Sequence, residues 1–136
     1  MNILVKWTDL YSVGVGEIDE EHKHFFEIIN MLYDAFIEKD QEEKIVEIVN
    51  ELTNYTETHF KTEESFFAKF NYSDSADHIS EHRYFIKQIE IFRSEVRVNP
   101  KALTPKIMFY LKDWLSNHIL VSDKKYGSCF HENGLS

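Results

Sequence analysis

The sequence predicts an all-α protein: an up-down-up-down antiparallel four-helix bundle with an extended N-terminal arm. Three observations predict it. In four stretches the apolar residues recur at steps of three and four, which puts them on one side of a helix. Helix-breaking residues fall between those stretches, and only four Gly and two Pro occur in the 136 residues. No stretch shows the two-residue alternation of a half-buried strand. Residues 1–136 are read as one domain, a length that can bury a core of its own.

The arm is residues 1–16, with Gly14 and Gly16 near its end and Trp7 as its packing anchor. The first helix is expected over about 19–38, with Asp19 as its cap and Glu20 and Glu21 in the first turn, where carboxylates suit the helix dipole. Its apolar stripe is Phe25, Ile29, Leu32 and Phe36. The second helix starts near Asp40 or Gln41 and runs to Phe70 on Ile45, Ile48, Leu52 and Tyr55. A polar turn follows from Asn71, and Ser75 is placed to cap the third helix, about 75–98, with Phe85, Ile89, Phe92 and Val96 inward. Asn99-Pro100 breaks it. Thr104-Pro105 offers a cap followed by proline at a first helical position, so the fourth helix is expected over about 104–126. Its stripe is Ile107, Leu111, Trp114 and Val121, and Gly127 is expected to stop it. Short connections make neighbouring helices antiparallel.

Composition narrows the function. A net charge of −9 disfavours nucleic acid, whose phosphates want Lys and Arg, and an anionic membrane surface. No apolar run approaches the ~20 residues of a membrane span, and the start has no signal-peptide pattern. Cys129 is the single cysteine, so no internal disulfide framework exists, and it reads as a plain thiol beyond the last helix. Together these suggest a cytoplasmic protein.

The chemistry lies in one spaced series: His22, then His59-x-x-x-Glu63, His78-x-x-x-His82, and His118 followed five residues later by Asp123. Imidazole and carboxylate are ligands for iron, zinc, copper or manganese. Extending each apolar stripe by its own step reaches His22, His59, His82, His78 and His118, so all five histidines sit on core faces. Glu63 is about 40° round the helix from His59, and His82 the same from His78. In an antiparallel bundle the start of helix one, the end of two, the start of three and the end of four share one level. Seven groups exceed what one tetrahedral zinc needs, and the excess suggests two metal ions sharing carboxylates. Without metal, that layer would bury several polar groups in need of partners. Asp123 fits least well: five residues turn a helix by about 140°, so the spacing alone leaves its inward reach open. His24 and His131 lie off the stripes and read as surface residues.

The series resembles the hemerythrin family, in particular its single-domain bacterial members. The resemblance spans the chain: the Trp7 arm, Ile18-Asp19-Glu20-Glu21-His22, His59 to Glu64, His78-Ile79-Ser80-Glu81-His82, Trp114 to Asp123, and the tail from Asp123 to Cys129. Myohemerythrin is itself an up-down-up-down bundle, so the fold expectation and the resemblance are not independent. All seven ligand positions carry the family's residue types. The resemblance implies a di-iron centre, with one iron on His78, His82 and His118 and the other on His22 and His59. Glu63, Asp123 and a solvent-derived oxo or hydroxo group would bridge them. It implies reversible dioxygen binding at the two-histidine iron, with no substrate transformed and so no enzyme activity. Phe25, Phe60, Trp114, Leu115 and Ile119 would wall a dry oxygen pocket, being core packing at the same time. Dioxygen is the implied partner, an oxygen-consuming enzyme a candidate recipient, and the chain is taken as a monomer. Nothing in the sequence reads as a fused output domain, which favours storage or delivery over sensing. Nitric oxide or peroxide handling is kept as an alternative.

Two enzyme readings compete. A di-iron oxidase or ferritin-like bundle uses Glu-x-x-His on two helices, whereas Glu21 to His24 is the only such pair here. His78-x-x-Glu81-His82 matches an inverzincin pattern, but a protease would leave His22, His59, His118 and Asp123 without a role.

Overall fold

The computed structural model describes residues 2–39 and 42–136. Among them there is no strand. Helices α1 (Gly16–Ile37), α2 (Glu42–Phe70), α3 (Ser75–Val96) and α4 (Pro100–Trp114) form the bundle. α4 continues without a break as a π-helix, Leu115–Asp123, and a short α5 (Gly127–Glu132) closes the chain. Each long helix packs against the next, and α1 also meets α4, so the bundle closes on itself. The expected start of the second helix at Asp40 or Gln41 lies outside the described residues.

The ends differ from expectation for reasons of local hydrogen bonding. α1 begins at Gly16, three residues early, on Val15, which supplies no side-chain cap. Asp19 does not cap it. Its carboxylate turns back and accepts from Ser12 Oγ (2.5 Å) and Val13 N–H (2.9 Å), pinning the arm. The arm itself is interrupted by a 3-10 turn, Asp9–Tyr11. Further out, Asn30 mimics a paired backbone: its Oδ1 accepts from Leu4 and Val5 N–H, and its Nδ2 donates to the Val5 carbonyl. Trp7 packs on Phe26 and Tyr11 as expected, with Lys23 Nζ 5.5 Å above its ring. α2 ends where Asn71 takes φ 51°, the left-handed conformation Asn tolerates at a helix C-terminus. Ser75 is the first residue of α3 rather than its cap.

α4 starts at Pro100, one proline earlier than expected. Asn99 is the cap, accepting from Ala102 N–H, and Pro100 fills the first position, where a missing N–H is harmless. Thr104 instead donates its hydroxyl to the Pro100 carbonyl (2.6 Å), and Pro105 lies inside the helix. Val121, expected inward, is 51% exposed, because the π-helical stretch changes the rotation per residue and the α step overshoots. Gly127 does not stop a helix but opens α5. A Cβ there would sit 2.8 Å from the Val13 carbonyl oxygen, so Gly127 lets the tail pack directly on the arm.

The interior is two apolar clusters separated by a polar layer. The larger contains Phe25, Phe60, Phe85, Leu115 and Ile119. The smaller, at the end of the bundle near α5, contains Ile18, Phe67, Tyr72, Tyr126 and Phe130. Along the chain His22 falls between Ile18 and Phe25, Glu63 between Phe60 and Phe67, and Asp123 between Ile119 and Tyr126, each pair taking one residue from either cluster. Cys129 lies within α5, partly buried against the smaller cluster.

Candidate metal centre

All seven residues of the series meet in that layer, and every one is buried. They form two groups whose ligand atoms lie within 4.8 Å of one another. One is Glu63, His78, His82, His118 and Asp123; the other is His22, His59, Glu63 and Asp123. Glu63 and Asp123 belong to both. Asp123 Oδ1 is 2.9 Å from the Nε2 atoms of His78 and His118, and its Oδ2 is 3.1 Å from His22 Nε2. Glu63 Oε1 is 3.0 Å from His59 Nε2 and 3.5 Å from His82 Nε2.

Proximity here is not hydrogen bonding. The Nε2 atoms of His22, His78, His82 and His118, and both oxygens of Glu63 and of Asp123, are buried with no hydrogen-bond partner. Such orphans cost a fold several kcal/mol unless something else satisfies them. Nitrogen and oxygen atoms converging from four helices with no mutual hydrogen bonds are what paired metal ions require. A donor set of five imidazoles and two carboxylates suits borderline divalent metals such as iron.

A second layer of carboxylates aims the imidazoles. His59 Nδ1 lies 2.5 Å from Glu21 Oε1, His82 Nδ1 3.0 Å from Glu64 Oε2, and His118 Nδ1 3.1 Å from Glu81 Oε1. Ser122 donates to both oxygens of Glu81. A carboxylate only accepts, so each Nδ1 carries the proton and each Nε2 is left to face a metal. Sequence reasoning did not assign Glu21 and Glu64, and met Glu81 only within the family-like motif and the protease-like pattern that was set aside. A signal was present: each adjoins a ligand in the chain, and each serves a histidine on the next helix. Glu21 beside His22 serves α2, Glu64 beside Glu63 serves α3, and Glu81 beside His82 serves α4. The relay ends there, and His22 Nδ1 is buried without a partner.

The charges are mutually dependent. Burial opposes protonating His59, but the negative charge of Glu63 and the hydrogen bond to Glu21 outweigh it and raise its pKa to about 10. Burial likewise opposes charging His118, yet Asp123 and Glu81 lift it to about 9. Burial opposes ionising Glu63 and Asp123, and Asp123's charge further opposes ionising Glu63, but the surrounding histidines hold both carboxyls well below the usual range. The site therefore retains protons that an incoming metal displaces. Tyr126 lies beneath it, its hydroxyl fully buried and unpartnered, and burial followed by the charges of Glu63 and Asp123 drives its pKa far up.

Beside His22 and His59 is a small cavity with room for about one water-sized molecule. Phe25, Phe60, Trp114 and Ile119 line it, and so do Tyr55 and Thr56. Leu115 does not: it is buried in the larger apolar cluster. His24 and His131 stay outside. His24 pairs with Glu27 at 3.2 Å, and His131 Nε2 lies 2.6 Å from the Gly14 carbonyl, tying α5 to the arm. No helix of the described residues is long and apolar enough to cross a membrane.

Comparison with known proteins agrees with this geometry. The family model described as the Hemerythrin HHE cation binding domain matches residues 13–129. The chain is 33% identical over 124 residues to a bacteriohemerythrin of Clostridium acetobutylicum, the match taking in 88% of this chain and 96% of that one. It is 31% identical over 127 residues to a bacteriohemerythrin of Methylococcus capsulatus, covering 93% and 96% of the two chains. A crystal structure of wild-type hemerythrin superposes with a TM-score of 0.82 at 30% identity, over 93% of this chain and 97% of that one.

Proposed function

The chain belongs to the hemerythrin family, and from that premise we propose that it binds dioxygen reversibly at a pair of iron ions without transforming a substrate. One iron would be held by His78, His82 and His118, the other by His22 and His59, with Glu63 and Asp123 shared. Two irons supply the pair of electrons that reversible dioxygen binding draws on and returns.

The observation that carries the reading is an asymmetry. The His22–His59 group has four donors and the other group five, and the small apolar cavity is lined by both histidines of the four-donor group and by His118 alone of the other group's three. The group with fewer donors would leave a ligand position free, on the side where a small, neutral molecule has room. The chain's own residues do the rest. Phe25, Phe60, Trp114 and Ile119 keep bulk water from the cavity. Phe60 lies flat against His82 at 3.7 Å and Trp114 against His118 at 4.0 Å, so the wall also fixes the imidazoles. Glu21, Glu64 and Glu81 hold three of the five rings in the tautomer that faces inward. Five imidazoles bring less negative charge than a carboxylate-dominated set, which favours return to the reduced state over substrate oxidation. Storage of dioxygen, or its delivery to an oxygen-consuming enzyme by a monomeric chain, follows from this reading.

Anaerobic reduction followed by an oxygen titration, watched by absorption, tests it. The expected result is two irons per chain and a visible band that forms with dioxygen and fades when the gas is removed. Oxidation with no reversible band, or a single zinc per chain, overturns it.

A further inference from the structure

The cavity beside His22 and His59 is walled from solvent by Tyr55. Among the described residues, Tyr55 is the one that lines both that cavity and a surface groove formed with His24, Glu47, Glu51 and Asn54. Its ring stands edge-on to His24 (4.7 Å) and parallel to His59 (6.2 Å). Its hydroxyl donates to the backbone carbonyl of Glu21, whose carboxylate holds His59 Nδ1. One hydrogen bond and two ring contacts of Tyr55 therefore close the way from the groove to the cavity. The groove outside is acidic: Glu47 and Glu51 both stand exposed in it, and His24 already has Glu27 beside it.

We propose that Tyr55 is the gate through which small ligands reach the His22–His59 side of the site, and that the acidic groove outside it selects neutral diatomic molecules over anions. Rotation of Tyr55 away from Glu21 joins groove to cavity without moving a helix. A negatively charged approach lowers the local concentration of anions, while an uncharged molecule is indifferent to it. The inference rests on the ligand-binding reading above, but the gate is a property of the chain whichever small molecule binds.

A gate changes the rates of binding and release by one common factor and leaves the equilibrium constant alone. In the iron-loaded protein, Tyr55→Phe removes the latch hydrogen bond and is expected to speed both rates for dioxygen and azide by about three- to tenfold, the weight of one such bond. Tyr55→Ala removes the ring and is expected to exceed that. The Glu47→Gln, Glu51→Gln double variant is expected to raise azide association a few-fold at low salt and leave dioxygen unchanged. A second readout needs no redox chemistry. The chain has two Trp, so in a Trp7→Phe background Trp114, which lines the cavity, is the sole reporter. In the zinc-loaded form, dioxygen should quench Trp114 fluorescence several-fold faster when Tyr55 is Ala. Unchanged rates and unchanged quenching in Tyr55→Ala overturn the gate, as does a Tyr55→Phe variant whose equilibrium constant changes while its two rates do not move together. Equal azide rates in the Glu47, Glu51 double variant overturn the selectivity. If the ferrous protein binds no dioxygen, azide exchange and Trp114 quenching still read the gate, so the two failures are distinguishable.

Discussion

His118 and Asp123 are five residues apart, yet His118 Nε2 and Asp123 Oδ1 approach to 2.9 Å. On an α-helix that separation would turn them about 140° apart. They meet because Leu115–Asp123 is π-helical, and its i→i+5 hydrogen bonding brings the fifth residue back over the first. The turn that costs the helix its regular geometry is the turn that brings a second carboxylate into the layer. Leu115, His118, Ile119 and Asp123 all point inward from it.

Because Asp123 and Glu63 belong to both donor groups, removing either should empty both metal positions. Asp123→Ala and Glu63→Ala are expected to reduce metal from two ions per chain to well under one. His22→Ala, which touches one group, should keep about one ion, held by the five-donor set. Metal analysis of purified protein decides it, and two ions retained in Asp123→Ala would show that the carboxylate is not shared.

The glutamates behind the imidazoles make a graded prediction. Glu81 is half-buried and bonded to His118 and Ser122, so Glu81→Ala should fold and lose metal affinity by about 10–100-fold, the usual effect of removing a ligand's supporting partner. Competition against a chelator measures this. Since His22 Nδ1 has no such partner, a chelator applied to the unaltered protein should strip the His22–His59 position first. Simultaneous loss of both ions would count against that order.

The helices and the ligand layer were legible because both are periodic. Phe25, Leu52, Phe85 and Leu111 mark inward faces by spacing alone, and His22, His59, His78, His82 and His118 continue those faces. Features decided by competition between local hydrogen bonds were not legible. Asn99-Pro100 and Thr104-Pro105 present the same starting signal, and the Asn99 cap decides between them. Asp19 has the chemistry of a cap but is taken by Ser12 and Val13. The π-helix has no compositional mark, so Val121 was placed inward and Asp123 left open. The role of Glu21 depends on which helix lies beside α1, a fact of assembly rather than of local sequence.

Gly127 tests how firmly the tail is seated. Its absent Cβ leaves room for the Val13 carbonyl, which would lie 2.8 Å from that atom. The obstacle is backbone held by Asp19, so relief requires the arm or α5 to shift. Gly127→Ala is expected to destabilise the fold by about 1–3 kcal/mol, the range for overpacking. Urea unfolding of the two proteins measures it, and a difference below about 0.5 kcal/mol, typical of an inconsequential surface change, would mean the arm is not held there.

Tyr110 predicts how the fold responds to alkali. Burial, and then the charges of Tyr84 and Asp113, raise its pKa to about 12, from an ordinary value near 10. The folded state thus favours the neutral phenol. That stability is fully present below pH 10 and is lost as the pH climbs from 10 through about 12, where the unfolded chain ionises first. Tyr72, raised to about 12 chiefly by burial, adds to the same limb. Tyr110 packs against Phe85 and Phe92, contacts that phenylalanine preserves. Tyr110→Phe should therefore match the unaltered protein's urea midpoint at pH 8 within the effect of the lost hydroxyl, and fall less steeply between pH 10 and 11.5. Tyr72, Tyr55 and Tyr126, whose pKa values burial also raises, still favour the neutral phenol in the folded state, so the limb should be shallower rather than flat. Parallel curves across that window would place Tyr110's proton outside the balance of folding.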